Sequence, residues 1–196
     1  MTGRVVTLRP VAEGDRARLL TWRNSPQVAL YMYSDHEIGQ AEHDRWFDGI
    51  GGRLDRLYWV IELDGEPVGL TSLTEIDRAQ GRATIARYLG DLAVRGLGVG
   101  AAAEFKLLDH AFSRLGLRKV WSEVLASNEV AWGLHVANGF QREALLRAHV
   151  VKGGLPQDVI GLGLLAQDWV ERRPEARERL IGKGYDPAGL DAPLPC

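Results

Sequence analysis

The sequence lacks several features that would identify a disulfide-bonded, membrane-spanning or secreted protein. Its 196 residues include a single cysteine, Cys196, so no disulfide can form within the chain and we expect a reducing compartment. No apolar run approaches the roughly 18 residues that a membrane-spanning helix needs. The first ten residues, MTGRVVTLRP, lack the core of a signal peptide. These absences predict a cytoplasmic protein with no membrane partner.

Excess charge and metal ligands are lacking as well. The net charge is −2 and no basic run occurs, so nucleic acid is not an expected partner. No paired histidines or cysteines stand at a usable spacing, so no metal is implied. With 45% hydrophobic and 26% charged residues, the chain has the composition of one ordinary globular domain.

The most informative stretch is glycine-rich and runs Arg95-Gly96-Leu97-Gly98-Val99-Gly100. It follows a strand-like segment, 84–94, and opens an apolar helix predicted over 101–115. Glycines let the backbone approach a ligand without Cβ obstruction. Free amides at the start of a helix favour a bound phosphate. The stretch therefore predicts a phosphate-bearing ligand that is held mainly by main chain.

Two familiar phosphate-binding motifs do not fit this stretch. A P-loop would end in Gly-Lys-Ser/Thr, whereas Gly100 is followed by Ala101-Ala102. A dinucleotide fold would place the motif in an early strand–helix unit, with an acidic residue about 20 positions on. Here helix and hairpin patterns precede the motif, and the next acidic candidates, Asp109 and Glu123, fall inside a helix and a strand pattern.

Hydrophobic periodicity and turn residues predict a mixed α/β chain. The pair Asp64-Gly65 is a strong hairpin signal between two strand patterns. The predicted strands are 4–10, 57–63, 67–76, 82–94, 119–126, 140–151 and 158–165. The predicted helices are 15–24, 40–50, 101–115 and 129–137, with a further helical segment from 167. This order indicates one layer of sheet with helices on its faces.

That order, with the glycine stretch at the end of the fourth strand, resembles the Gcn5-related N-acetyltransferase (GNAT) superfamily. The family's acetyl-coenzyme A loop, Gln/Arg-x-x-Gly-x-Gly/Ala, is matched by Arg95, Gly98 and Gly100. A second signature lies at the expected distance downstream. It consists of Asn128-Glu129-Val130-Ala131, Leu134-His135 and Asn138-Gly139-Phe140.

The resemblance implies an α/β (α+β) fold: a mixed, largely antiparallel central sheet of about seven strands, with helices on both faces and strands 4 and 5 splayed apart. It implies acetyl-CoA as the acyl donor. Main chain at Leu92, Ala93 and Val94 would pair with the pantetheine arm like an extra strand, and Asn128 would contact that arm. The loop that takes the pyrophosphate would be Arg95, Gly96, Leu97, Gly98, Val99, Gly100 and Ala101.

The likeness also divides the chain. We expect a single acetyltransferase domain over 1–180, with an acceptor-binding part at 1–56 and an acetyl-CoA core at 57–166. Residues 181–196, rich in proline and glycine, are predicted to be a flexible tail. The C-terminal segment has no counterpart in the likeness.

His135 is the candidate catalytic acid. The family usually has a tyrosine seven residues after the asparagine, to protonate the leaving thiolate, and this chain has His135 there. An imidazolium, with an unperturbed pKa of about 6.5, can donate the same proton. The alternative is that His135 only packs beneath the donor and water supplies the proton. Asn128 could equally act as a helix cap.

The first 50 residues indicate the acceptor. Trp22-Arg23-Asn24, Tyr31-Met32-Tyr33, His43 and Trp46 are similar to acetyltransferases of pseudaminic acid synthesis, which acetylate the 4-amino group of a UDP-linked 4-amino-4,6-dideoxy sugar. Ribosomal-protein N-terminal acetyltransferases share the Trp-Arg-Asn opening more loosely and provide a second hypothesis. A non-catalytic acetyl-CoA-binding module is a third. A homodimer is compatible with each of them.

The resemblance gives the acceptor residues their expected roles. Apolar and aromatic side chains would cover a uracil ring, arginines would offset the diphosphate charge, and His43 would orient the amine and be catalytic. Trp46 at helical spacing is compatible with a core position, and no carboxylate stands out as a general base. The predicted substrate-binding residues are Arg9, Arg23, Tyr31, Met32, Tyr33, His43 and Trp46.

Overall fold

The computed structural model describes residues 3–194, and Cys196 lies outside that range. Seven strands form one sheet in the order β1-β2-β3-β4-β5-β7-β6. The strands are β1 (Val6–Pro10), β2 (Leu57–Leu63), β3 (Glu66–Asp77), β4 (Arg82–Leu89), β5 (Lys119–Leu125), β6 (Gln141–Lys152) and β7 (Leu155–Leu165). The helices are α1 (Arg16–Asn24), α2 (Pro26–Ala29), α3 (Gln40–Asp48), α4 (Val99–Asp109), α5 (Glu129–Ala137), α6 (Ala166–Gly182) and α7 (Pro187–Asp191).

All neighbouring strands pair antiparallel except β4 and β5, which run parallel. Their ladder is short and joins only 82–84 to 119–121. Beyond Thr84 and Trp121 the two strands separate, while β5 stays paired with β7 along its whole length. The predicted fold, a largely antiparallel seven-stranded sheet splayed between strands 4 and 5, is confirmed.

Apolar clusters cover both faces of the sheet. On one face α4 is buried almost completely, with Phe105, Leu107 and Leu108 at 0% exposure, and it packs together with α6 and α7. On the other face α1 and α3 contribute Leu19 and Phe47 to a smaller cluster. Burying both faces removes apolar surface from water on each side, which stabilises the sheet as the middle layer.

The C-terminal segment differs from the flexible tail predicted for 181–196. Residues 187–191 form α7, and Tyr185, Leu190 and Leu194 are only 2%, 3% and 7% exposed. The ammonium of Lys106 donates to the carbonyls of Gly189 (2.5 Å) and Ala192 (2.9 Å), near the end of α7. Three widely spaced apolar side chains thus hold a segment whose composition is otherwise typical of disorder.

Two element boundaries also differ from the prediction. The fourth strand was expected to run to Val94, but β4 ends at Leu89 and 92–94 form a single 3₁₀ turn. The helix expected over 101–115 begins at Val99 and passes into a π-helical turn at 110–114. The glycine loop therefore begins after a turn rather than directly after a strand.

Among residues 3–194, no helix is both long and apolar enough to cross a bilayer. In the same part of the chain, no group of three or more histidine, cysteine or acidic side chains is arranged to hold a metal ion.

Candidate active site

The separation of β4 from β5 opens a cavity of about 2270 Å³ that passes through the sheet. The glycine loop, α4, α5 and α6 line one side of it, and the segment after α2 lines the other. A strand pair that stops after three residues leaves backbone groups on both strands available to a ligand. The cavity therefore has two approaches, one from each face of the sheet.

The glycine loop is shaped for a phosphate group. Gly96 and Gly98 have φ values of +79° and +86°, which side chains rarely adopt. At Gly100 a Cβ would lie 3.4 Å from Arg87 Nε, an ordinary contact, so the backbone conformation requires glycine at 96 and 98 rather than at 100. Gly98 caps α4, whose first amides have no carbonyl partner within the helix. These amides and the helix dipole fit a coenzyme A pyrophosphate.

Loop residues of the predicted donor site reach the cavity wall, as do Val94 and Asn128. Asn128 also caps α5, because its side chain accepts from the Ala131 amide at 3.2 Å. Both roles considered for Asn128 are therefore compatible with its position. Leu92 and Ala93 do not line the cavity, since the chain turns there instead of continuing the strand. The wall residues of the loop are Arg95, Gly96, Gly98, Val99, Gly100 and Ala101.

A buried ionic network lies beneath the loop and centres on Glu104 of α4. This side chain is fully buried and pairs with Arg87 of β4, whose side chain is 9% exposed. Its Oε1 accepts from Asn138 Nδ2 at 3.0 Å, and its Oε2 lies 3.0 Å from His135 Nδ1. Burial by itself would raise the pKa of Glu104, but the charges of Arg87 and His135 and the two contacts lower it to about 2. Glu104 is thus an anion inside the cavity wall.

His135 lies within this network and lines the cavity. Its ring is 4% exposed and packs edge-on against Phe140, with ring centroids 4.8 Å apart. Its Nε2 is 3.2 Å from the hydroxyl oxygen of Ser122, which also lines the cavity. Its Nδ1 contacts Glu104 at ion-pair distance, although not with hydrogen-bond geometry. A carboxylate beside one ring nitrogen and a hydroxyl beside the other fix the orientation of the ring in the cavity wall.

Three predicted acceptor residues lie on the opposite wall of the cavity: Tyr31, Met32 and Tyr33. Tyr31 is 38% exposed and Tyr33 41% exposed. The Tyr33 hydroxyl donates to Glu123 Oε2 at 3.0 Å, and Trp121 Nε1 donates to Oε1 of the same carboxylate at 3.2 Å. Burial, and then the bond to Glu123, raise the pKa of Tyr33. Aromatic rings from both halves of the chain thus meet at one carboxylate.

The two predicted arginines do not line the cavity. Arg9 is held by Asp15 and Glu62, each at 2.6 Å, and these ion pairs tie β1 to β2 and to the start of α1. Arg23 is half-buried and donates to the Ser34 hydroxyl, and burial lowers its pKa. The prediction that they face a diphosphate is therefore corrected, because nearby acceptors engage both side chains inside the N-terminal half.

The predicted roles of His43 and Trp46 in the site are corrected as well. His43 is 3% exposed, and its Nε2 lies 2.8 Å from the Arg16 carbonyl. Trp46 packs edge-on against Tyr58 of β2, with ring centroids 5.4 Å apart. Both side chains join α3 to its neighbours, and neither lines the cavity. The core position considered for Trp46 is the one that it occupies.

Several residues of the cavity wall, and Glu104 in the buried network beside it, were missed in the sequence. Glu104 interrupts an otherwise apolar helix face, and such a break in the pattern could have marked it. Arg87 and Asn138 carried no comparable signal, because their roles depend on where Glu104 lies. The other missed residues are Ser122, Trp121, Glu123, Arg179 and Lys183.

Known proteins resemble the chain over most of its length. It is 27% identical over 172 residues to the uncharacterized N-acetyltransferase p20 of Bacillus licheniformis, covering 84% of this chain and 94% of that protein. Spermidine N(1)-acetyltransferase of Escherichia coli K12 is 24% identical over 177 residues, with 90% and 94% covered. The solved structure of spermidine N-acetyltransferase from Vibrio cholerae, in complex with CoA and spermine, matches with a TM-score of 0.79 at 22% identity, covering 84% of this chain and 98% of that one.

The family assignment rests on both the loop and the length of the match. The family model described as Acetyltransferase (GNAT) domain matches residues 6–141, which include the glycine loop and α5. The seven-stranded sheet, its splayed strands and the phosphate-shaped loop are the features that the resemblance predicted. The chain belongs to the GNAT acetyltransferase family and is an N-acetyltransferase that uses acetyl-CoA as its donor.

Proposed function

We propose that this protein transfers the acetyl group of acetyl-CoA to the 4-amino group of a UDP-linked 4-amino-4,6-dideoxy sugar. One observation carries the proposal. The cavity passes from the glycine loop to an apolar wall made by Tyr31, Met32 and Tyr33. These side chains are those of the sequence pattern that predicted a nucleotide sugar. Flat aromatic surface next to a methionine is suited to a uracil ring.

Direct transfer within a ternary complex is the mechanism that suits a cavity open on both faces. Bound acetyl-CoA would supply the acetyl group as a thioester. Tyr31 and Tyr33 would hold the acceptor on one side, and the loop amides would hold the donor phosphates on the other. His135 would give a proton to the departing thiolate, with Glu104 orienting the ring. Glu75 and Glu123 are carboxylates on the acceptor wall that could receive the proton of the amine.

The diphosphate would need cationic partners other than Arg9 and Arg23. Two arginines, Arg78 and Arg82, lie on the cavity wall near the end of β3 and the start of β4. The side chain of Arg82 is 64% exposed, and its Nε is 3.9 Å from Asp77. Loosely held guanidinium groups at a cavity rim can turn toward a phosphate at little cost. We therefore assign the diphosphate to this rim.

A polyamine is the second candidate acceptor, favoured by the likeness to two spermidine acetyltransferases and by four carboxylates on the wall. Each of these carboxylates already has a partner. Asp55 pairs with Arg53 at 2.7 Å, Asp77 accepts from the Gln80 amide at 2.9 Å, Glu75 accepts from the Thr84 hydroxyl at 2.7 Å, and Glu123 accepts from Tyr33 at 3.0 Å. An ammonium group would share each carboxylate with its present partner, whereas the exposed rings of Tyr31 and Tyr33 offer a flat surface that suits the uracil of the nucleotide sugar.

The test measures coenzyme A release with three acceptor classes: UDP-4-amino-4,6-dideoxy sugars, spermidine and spermine, and peptides with ribosomal-protein N-termini. We expect turnover on an amino-sugar, with kcat/KM at least tenfold above that of the other classes. Turnover on polyamines alone, or on peptides alone, would contradict the proposed amino-sugar acceptor and identify that other class as the substrate. Binding of acetyl-CoA without turnover on any class would favour the non-catalytic module. UDP added without a sugar serves as the matched ligand control and should inhibit only the amino-sugar reaction.

A further inference from the structure

The end of α6 borders the cavity beside the glycine loop. Ala176, Arg179 and Leu180 of α6 line the wall, together with Lys183, the residue that caps the helix. The positions 176, 179, 180 and 183 recur at spacings of three and four, so they share one face of the helix. The apolar pair packs into the core at 2% and 3% exposure, while the two cationic side chains face the cavity.

Contacts with Leu97 and Gly98 fix this turn against the loop. The Tyr185 hydroxyl donates to the Leu97 carbonyl at 3.0 Å, and Arg4 Nη1 donates to the same oxygen at 3.1 Å. The side chain of Lys183 runs so close to Gly98 that a Cβ there would lie 3.0 Å from its Cδ. The segment after α6 is therefore attached to the loop at the point where the loop turns into α4.

The positive charges of Lys183 and Arg179 have few anionic partners. Lys183 is exposed, and none of the ion pairs formed between residues 3 and 194 includes it. Arg179 donates from Nη2 to Asn138 Oδ1 at 2.9 Å, and its Nη1 is 3.5 Å from Glu175. Two cations and the free amides at the start of α4 thus face the same space. This space suits a ligand with more than one phosphate group.

We propose that Lys183 and Arg179 bind the phosphate groups of coenzyme A, so that the C-terminal segment supplies one wall of the donor site. The loop amides would hold one side of the phosphates and α6 the other. Neither the family model, which ends at residue 141, nor the motif pattern includes α6. The proposal concerns the donor only and does not depend on which acceptor is used.

The test is calorimetric titration of the whole chain with three ligands: coenzyme A, 3′-dephospho-coenzyme A and pantetheine. We expect Lys183→Ala to weaken coenzyme A binding roughly 5- to 20-fold, the range of an exposed charge-assisted contact. Lys183→Glu should weaken it further, and Arg179→Ala should act in the same direction. Pantetheine binding should stay within twofold of the wild type in each variant, because pantetheine lacks the phosphates. Higher salt should reduce the difference in coenzyme A affinity between Lys183→Ala and the wild type.

The three ligands show which phosphate group of coenzyme A the end of α6 binds, and pantetheine binding shows whether each variant is still folded. Equal losses for coenzyme A and its 3′-dephospho form would assign α6 to the pyrophosphate, and a loss for coenzyme A alone would assign it to the 3′-phosphate. Arg147→Ala, which removes an exposed charge from β6, is the matched control and should change nothing. Unchanged coenzyme A affinity in Lys183→Ala and Lys183→Glu, or an equal loss for pantetheine, would overturn the proposal.

Discussion

The acetyl-CoA core, 57–166, and the acceptor-binding part, 1–56, differ in how closely their motifs match the cavity wall. In the core, the loop residues from Arg95 to Ala101, apart from Leu97, lie on the wall, together with Asn128 and His135. Of the seven substrate-binding residues predicted in the acceptor-binding part, only Tyr31, Met32 and Tyr33 lie on the wall. The other four, Arg9, Arg23, His43 and Trp46, join elements of the N-terminal half to one another. A larger share of the residues predicted from the donor motif than of those predicted from the acceptor pattern therefore lies on the cavity wall.

The physical reason is that the two parts present different groups to a ligand. A glycine with positive φ, such as Gly98, has no side chain and so has few structural roles besides a turn or a close approach. A histidine or an arginine has a large side chain that can pack, form ion pairs or bind a ligand equally well. Side-chain patterns are thus compatible with both structure and function, whereas a glycine loop is much more restrictive.

The largest effect that we predict concerns the network beneath the donor loop. Glu104→Ala leaves Arg87 without its buried anion and removes the acceptor of Asn138. We expect a loss of about 3–5 kcal/mol in the free energy of unfolding, the range for breaking a buried ion pair. Urea denaturation measures this loss. Glu171→Ala, at an exposed position of α6, is the control and should leave the midpoint unchanged. A loss below about 1 kcal/mol in Glu104→Ala would contradict a fully ionised network.

The same network predicts how stability depends on pH. The pKa of Glu104 falls from 4.5 to about 2 on folding, because Arg87 and His135 outweigh the opposing effect of burial. A lowered pKa in the folded state means that the contribution is complete above about pH 4.5 and declines as the pH falls toward 2. In Glu104→Ala this part of the acid dependence should disappear.

The next prediction compares a histidine from each part of the chain. His135→Ala should lower kcat by about 100-fold, since a positioned general acid contributes roughly 10²- to 10⁴-fold. The pH profile of kcat should also lose the decline toward high pH that deprotonation of an acid causes. Steady-state assays between pH 6 and 9 measure both effects. Turnover that is unchanged across this range would remove His135 from the mechanism.

His43→Ala is the matched control for that comparison. It removes a buried side chain and its hydrogen bond to the Arg16 carbonyl, so we expect about 1–3 kcal/mol of lost stability. The value of kcat, measured below the lowered melting temperature, should stay near that of the wild type. A large fall in kcat would instead support the catalytic role that the sequence predicted for His43.

The smallest predicted effect tests the acceptor wall. Tyr31→Ala removes aromatic surface worth about 1 kcal/mol to a stacked ring, so the acceptor KM should rise roughly fivefold. Both kcat and the KM for acetyl-CoA should stay within twofold, because Tyr31 is on the acceptor side of the cavity. Val170→Ala, an exposed apolar position on α6, is the control. A change confined to the KM of acetyl-CoA would show that the wall serves the donor instead.

Much of the fold could be predicted because its elements carry local signals. The strand 57–63 and the helix 129–137 have the predicted boundaries, since Asp64-Gly65 ends the first and Asn128 caps the second. The end of β4 at Leu89 and the order of the C-terminal segment carried no local signal. Both depend on distant partners: β4 stays paired with β3 as far as Leu89, beyond its last pair with β5 at Thr84, and residues 183–194 are held by β1, α4 and the glycine loop.

The sequence by itself determined the family, the donor and the place of the donor loop, because three glycines, a capping asparagine and their spacing are local properties of the chain. Only the tertiary structure decided which side chains face the cavity. In the folded chain Arg9, Arg23, His43 and Trp46 are engaged in ion pairs, hydrogen bonds and packing away from the cavity. Lys183 lines the cavity, and Glu104 lies buried beside His135. The reason is that burial and pairing depend on residues far apart in the chain, which no local pattern encodes.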